Sequence, residues 1–145
     1  RIILGGVRRG TTKLRQIYSK VFPHATIVKT GAKHAEMVKY FTNCFLATKV
    51  SFANEMKYIC DNIDLDYDKV VEYATYDERL GKSHWGVPGP DNDLGFGGHC
   101  LPKDLSAMIN GFDTLGLLEA VENVNDQVRE NRDWEQMKGR AVVDG

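Results

Sequence analysis

Residues 32–62 read AKHAEMVKYFTNCFLATKVSFANEMKYICDN, a stretch without glycine or proline. Ala35, Val38, Phe41, Phe45, Phe52, Met56 and Ile59 recur along it at threes, fours and a seven. That period stacks apolar side chains on one face of an α-helix, so the stretch predicts a single long helix from about Ala32 to Asn62. Leu46, Ala47, Val50 and Tyr58 fall beside the stripe and widen it. A helix apolar on more than one side needs more than one packing partner.

Toward the N-terminus, Arg1-Ile2-Ile3-Leu4-Gly5-Gly6 predicts a short buried strand. A helix is expected over about Thr12 to Phe22, where Leu14, Ile17, Tyr18 and Val21 are helically spaced and Pro23 stops the run. Ala25-Thr26-Ile27-Val28 predicts a second strand. Strand, helix, strand is the unit of parallel sheets, and two strands alone make no stable sheet, so these residues are expected to be the edge of a larger α/β domain. Arg1 follows no initiator methionine and no signal-peptide pattern, which fits an excised segment.

Toward the C-terminus, Asp64-Leu65-Asp66 is placed to cap a helix over about Tyr67 to Tyr76, with Val70, Val71 and Ala74 inward. Residues 82–93 form a loop punctuated by Gly86, Pro88, Gly89 and Pro90, which delivers the chain to Gly95-Phe96-Gly97-Gly98-His99-Cys100-Leu101-Pro102-Lys103-Asp104. Pro102 marks the start of a helix to about Asn110. Leu117, Val121, Val124 and Val128 predict another over about Leu117 to Lys138, and Ala141-Val142-Val143 begins a strand.

Composition narrows the function. The chain has 145 residues, 19 basic against 20 acidic and a net charge of −1, which leaves no electrostatic footprint for nucleic acid. No apolar run approaches the length needed to span a bilayer. Its 3 cysteines form no C-x-x-C pair, and Cys44 and Cys60 on one helix stand about 24 Å apart, too far to bridge. Neither a disulfide framework nor a structural zinc site is expected, and reducing, cytoplasmic surroundings fit best.

The chemistry concentrates around Cys100. Glycines crowded at 95, 97 and 98 let backbone turn sharply or approach a neighbour closely. At or just before a helix N-terminus, unpaired amides and the helix dipole favour a thiolate, and Lys103 adds positive charge, so Cys100 has the setting of a nucleophile. Gly95-x-Gly97 is no dinucleotide fingerprint, because Cys100 takes the third glycine's place. Asp64, Asp66 and Asp68 alternate like a calcium loop, but Lys69 and Thr75 stand where that loop needs Gly and Glu. The four histidines show no metal-ligand spacing, and no metal is expected. Lys39 and Asn43 share one face of the long helix, positioned to hold an oxyanion. A solvated helix face accounts for the same spacing. Asp104, one turn beyond Cys100, is suited to accept a proton or to fix a water or a lysine.

Three blocks, residues 35–43, residues 77–81 and the cysteine stretch of residues 95–104, in that order resemble the nucleotide-sugar 6-dehydrogenases of the UDP-glucose/GDP-mannose dehydrogenase family, above all UDP-glucose 6-dehydrogenase. The resemblance covers nearly the whole chain. It implies a mainly α fold: a helical central domain with a long dimerisation helix, preceded by the βαβ edge of a Rossmann-type α/β domain. The implied division is 1–30 for the edge of the NAD-binding domain, 31–139 for the central domain and 140–145 for the start of a C-terminal nucleotide-sugar-binding domain. It further implies NAD as cofactor and four-electron oxidation of a nucleotide sugar's C6 alcohol to a carboxylate, with Cys100 forming a thiohemiacetal and then a thioester. Lys39 and Asn43 would steady the oxyanion, and Asp104 would assist Lys39 and the water. Phe96 and Gly97 would line the sugar pocket, Lys103 would lie near the cofactor, and Arg79 would reach substrate held by a neighbouring subunit of a homodimer. His99 is reminiscent of enzymes for N-acetylated UDP-sugars, whereas Leu101-Pro102-Lys103-Asp104 favours UDP-glucose or GDP-mannose. Two other readings stay open. One is a two-electron β-hydroxyacid-type dehydrogenase, which needs no cysteine; the other is a helical dimerisation module inactive as isolated.

Overall fold

The computed structural model describes residues 1–137. It is mainly helical, with a parallel two-stranded βαβ edge at the N-terminus. The chain divides into two compact units, residues 1–42 and the residues from Asn43 onward, with the boundary inside the long helix. The expected strand at residues 141–143 lies outside the described residues.

In the first unit, β1 (Ile2–Gly5) pairs in parallel with β2 (Ile27–Thr30), Ile2 opposite Ile27 and Gly5 opposite Thr30. The crossover is α1 (Arg8–Val21). Strand β2 begins two residues later than expected, because the amide of Ala25 donates to the carbonyl of Phe22 and closes a turn through Pro23 and His24. Helix α1 begins four residues earlier, and the hydroxyl of Thr11, buried, donates to the carbonyls of Val7 and Arg8 across its first turn. Leu14, Ile17 and Val21 remain exposed.

Helix α2 (Ala32–Asn62) has the predicted bounds, but a different face is buried. From Asn43 onward the buried positions are Cys44, Ala47, Ser51 and Asn54 on one stripe and Lys49, Ala53 and Cys60 beside it. Phe45, Phe52 and Ile59 of the predicted apolar stripe are exposed, as is Phe41 in the first unit. Small side chains let neighbouring backbone come close; the Ser51 hydroxyl reaches the carbonyl of Val121 at 2.8 Å.

In the second unit, α3 (Tyr67–Ala74) follows its cap Asp66, whose carboxylate accepts from the amides of Asp68 and Lys69. Its buried residue is Tyr67 rather than Val70 or Ala74, and the phenol donates to the carbonyl of Trp85 at 2.7 Å. Helix α4 (Cys100–Gly111) starts two residues before its expected first residue, so Pro102 is third. Its missing N–H still falls among the amides that no helix satisfies. Helix α5 (Leu117–Val128) ends ten residues short of its expected stop, and Asp133–Met137 form a short 3-10 turn. Cys44, Ala47, Phe96, Leu105 and Val121 form the core where α2, the glycine-rich loop, α4 and α5 meet. Ala53, Cys60, Tyr67 and Val87 form a second cluster under α3.

Candidate active site

Cys100 is the first residue of α4 and is exposed, while Cys44 and Cys60 are buried. Burial, and then the Asp104 charge, push the Cys44 thiol up. One turn along α4 from Cys100, Asp104 is fully buried. Its carboxylate accepts from Asn43 Nδ2 on α2 at 2.5 Å and pairs with the ammonium of Lys103. A buried carboxylate is tolerable only with such donors around it. Asn43, Lys103, Asp104 and Cys100 thus gather around the first turn of α4.

The glycine-rich loop before it is held by side chains from elsewhere. Gly95 N–H donates to Asn54 Oδ1 at 3.1 Å, and Phe96 N–H donates to Asn125 Oδ1 at 2.7 Å. Asn125 Nδ2 returns a bond to the Phe96 carbonyl at 3.1 Å. Gly98 N–H donates to both carboxylate oxygens of Asp133 at 3.0 Å. Arg129, itself buried, donates from Nη2 to Asp91 at 2.7 Å and from Nη1 to the Leu94 carbonyl at 3.4 Å, with Asp93 and Asp133 near it. Burial works against the Arg129 charge, and Asp91, Asp93 and Asp133 outweigh it. A Cβ on Gly97 would stand 2.1 Å from Arg129 Nη2, so the close approach that this glycine permits is to protein. Phe96 is buried in the core.

Beside the loop opens a cleft of about 550 Å³, lined among others by Ser83, His84, Phe96, Gly97, Gly98 and Asp133. Phe96 and Gly97, expected to line a sugar pocket, both border it. Arg79 does not line it; its exposed guanidinium pairs with Asp77. Lys39 belongs to the first unit, with its ammonium 5.3 Å from the centre of the Tyr40 ring. Lys103, expected near the cofactor, borders a cleft of about 210 Å³, which is small for a dinucleotide. That cleft alone does not hold a whole dinucleotide. Among the described residues there is also no group of three or more metal-ligating side chains, and no helix is long and apolar enough to cross a membrane.

The frame of Asn54, Asn125, Arg129 and Asp133 was not anticipated from the sequence. A signal for it exists: Asn125 lies four residues after Val121, on the apolar face of α5, where a polar side chain is retained only with partners. Lys49 is a second such case, buried on α2 with its ammonium donating to the Leu80 carbonyl at 2.9 Å and lying 4.4 Å from the centre of the Trp85 ring.

Known proteins resemble the chain in sequence and in fold. The UDP-glucose/GDP-mannose dehydrogenase family, central domain, matches residues 33–127. The chain is 38% identical over 110 residues to the UDP-glucose 6-dehydrogenase TuaD of Bacillus subtilis, covering 73% of this chain and 23% of that protein. It is 36% identical over 153 residues to the UDP-glucose 6-dehydrogenase AglM of Haloferax volcanii, covering 100% of this chain and 34% of that one. A UDP-glucose dehydrogenase structure from the hyperthermophilic archaeon Pyrobaculum islandicum matches with a TM-score of 0.75 at 35% identity, over 86% of this chain and 28% of that one. With its long helix, glycine-rich cysteine loop and matching sequence, the chain belongs to the UDP-glucose/GDP-mannose dehydrogenase family and contains that family's central domain. It spans between about a quarter and a third of the length of these relatives.

Proposed function

We propose that this chain is part of a nucleotide-sugar 6-dehydrogenase that oxidises UDP-glucose to UDP-glucuronate through a covalent intermediate on Cys100. The observation that carries the reading is the first turn of α4: an exposed thiol at the helix start, with a fully buried carboxylate one turn on that accepts from Asn43. NAD, when bound, supplies the hydride acceptor, two equivalents for each alcohol taken to a carboxylate.

This chain's residues do the remaining work. The Cys100 thiolate adds to the aldehyde-level carbonyl carbon, and the carbonyl electron pair becomes the alkoxide of a thiohemiacetal. Asn43 Nδ2 donates to that oxyanion, with Lys39 as a second donor assigned from the family resemblance alone. At the thioester level a water adds to the same carbon, its proton passes to Asp104 directly or through Lys39, and the C–S bond breaks to return the thiolate. Phe96 and Gly97 exclude water beside the sugar. Lys103 meets the cofactor, and Arg79 extends to substrate on a neighbouring subunit. The domain division at 1–30, 31–139 and 140–145 belongs to the same proposal, with soluble, cytoplasmic action and a homodimer paired along α2. Exposed Phe45, Phe52 and Ile59 on α2 support that pairing.

Replacing Cys100 with serine in the full-length protein tests the mechanism. The expected result is a loss of NADH formation of about 10³-fold or more, because the weaker hydroxyl nucleophile supports no thioester. Turnover close to that of the parent would instead favour the two-electron β-hydroxyacid-type reaction.

A further inference from the structure

Two glycines, Gly97 and Gly98, separate Phe96 from the turn that carries Cys100. Left to themselves they would give the thiol slack, since glycine has the widest backbone freedom. That slack is removed from outside. Gly98 N–H is tied to Asp133, and Gly97 is walled by the Arg129 guanidinium. The path of the loop before them is set by Asn125, whose carboxamide meets both the N–H and the C=O of Phe96. Gly95 is matched to it: a Cβ there would stand 2.3 Å from Asn125 Oδ1. An apolar side chain would fill this buried position without needing partners, so a carboxamide here is explained by the peptide it grips.

We propose that Asn125 is the positioning residue of the nucleophile loop, fixing Phe96 so that Cys100 enters α4 in its reactive placement, with Arg129 and Asp133 carrying that placement across the two glycines. The proposal rests on the reading of Cys100 as the nucleophile. Its test uses the full-length enzyme with Asn125→Ala and the isosteric Asn125→Asp, which keeps the acceptor for the Phe96 N–H and sets a second oxygen against its carbonyl. Measured are kcat, KM for UDP-glucose, and the rate of Cys100 alkylation by iodoacetamide against pH. In Asn125→Ala, kcat is expected to fall about 10²-fold, the scale of a misplaced reacting group. KM should stay within about threefold, the pattern of a loss confined to the transition state. The alkylation profile of Cys100 should shift along the pH axis. A kcat within about threefold of the parent, with an unshifted profile, overturns the proposal. If Asn125→Ala does not fold, Asn125→Asp is judged by the same two criteria. Cys100→Ser separates the two failures: if it keeps turnover, the covalent reading falls, while the alkylation profile of the Asn125 variants, read without turnover, still decides the positioning role.

Discussion

The three cysteines differ by the surface each one shows. Cys100 opens a helix and faces solvent, whereas Cys44 and Cys60 lie on α2 in two separate core clusters. For Cys44, desolvation and the neighbouring Asp104 charge both disfavour the thiolate, which is the reactive form. Iodoacetamide added to the native protein is therefore expected to label Cys100 first, and Cys44 and Cys60 only in denaturant. Peptide mapping by mass spectrometry checks this; early labelling of Cys44 would contradict the burial on which the core depends. Asp104 shows how much of a residue's role is set by its surroundings. From the sequence it was an acid one turn from a cysteine, and the α2 amide of Asn43 makes it a buried, hydrogen-bonded member of the site.

Among the elements, the loop and the end of α5 depend on each other. Arg129 ends α5 by turning into extended backbone, and its guanidinium and the following residues take up Asp91, Asp93 and Asp133. The Arg129 bond holds the Asp91 carboxyl below its ordinary value, and the Asn131 amide does the same for Asp93. A carboxyl whose folded pKa is depressed contributes stability that is present above its unfolded pKa and lost as pH falls through the folded value. The melting temperature is thus expected to hold near neutrality and to drop as pH falls below about 4, the ordinary carboxylate value. Asp91→Asn should flatten that acid limb and lower stability at neutral pH. Thermal melts followed by circular dichroism from about pH 7 to about pH 3 measure both. The effect should be modest and weaken with salt, because Asp91 is nearly half exposed. This brace also explains why α5 stops at Val128 although the sequence between Val128 and Lys138 holds no glycine or proline: a buried arginine with three acids outweighs helical propensity.

For the whole molecule, the exposed side of α2 carries the strongest prediction. Phe45, Phe52, Tyr58 and Ile59 are exposed, with Phe52 52% accessible and Tyr58 69%. Rings of this size left in water on one helix are what a partner surface would bury. Sedimentation velocity of the full-length protein is expected to show a dimer, and Phe45→Glu with Phe52→Glu should shift it toward monomer; an unchanged dimer would place the interface elsewhere. The sequence by itself determined the order of the helices and strands among the described residues, the long helix to its last residue, the parallel strand pair and the place of Cys100 at a helix start. Those follow from local rules of period, punctuation and capping, which act within a few residues along the chain. Only the tertiary structure decided which face of α2 is buried, where α5 ends, and which side chains hold the glycine-rich loop. Periodicity marks a face as apolar, but close approach is possible only where Ala47, Ser51 and Ala53 are small, and a carboxamide or guanidinium is buried only where distant backbone and carboxylates arrive to meet it.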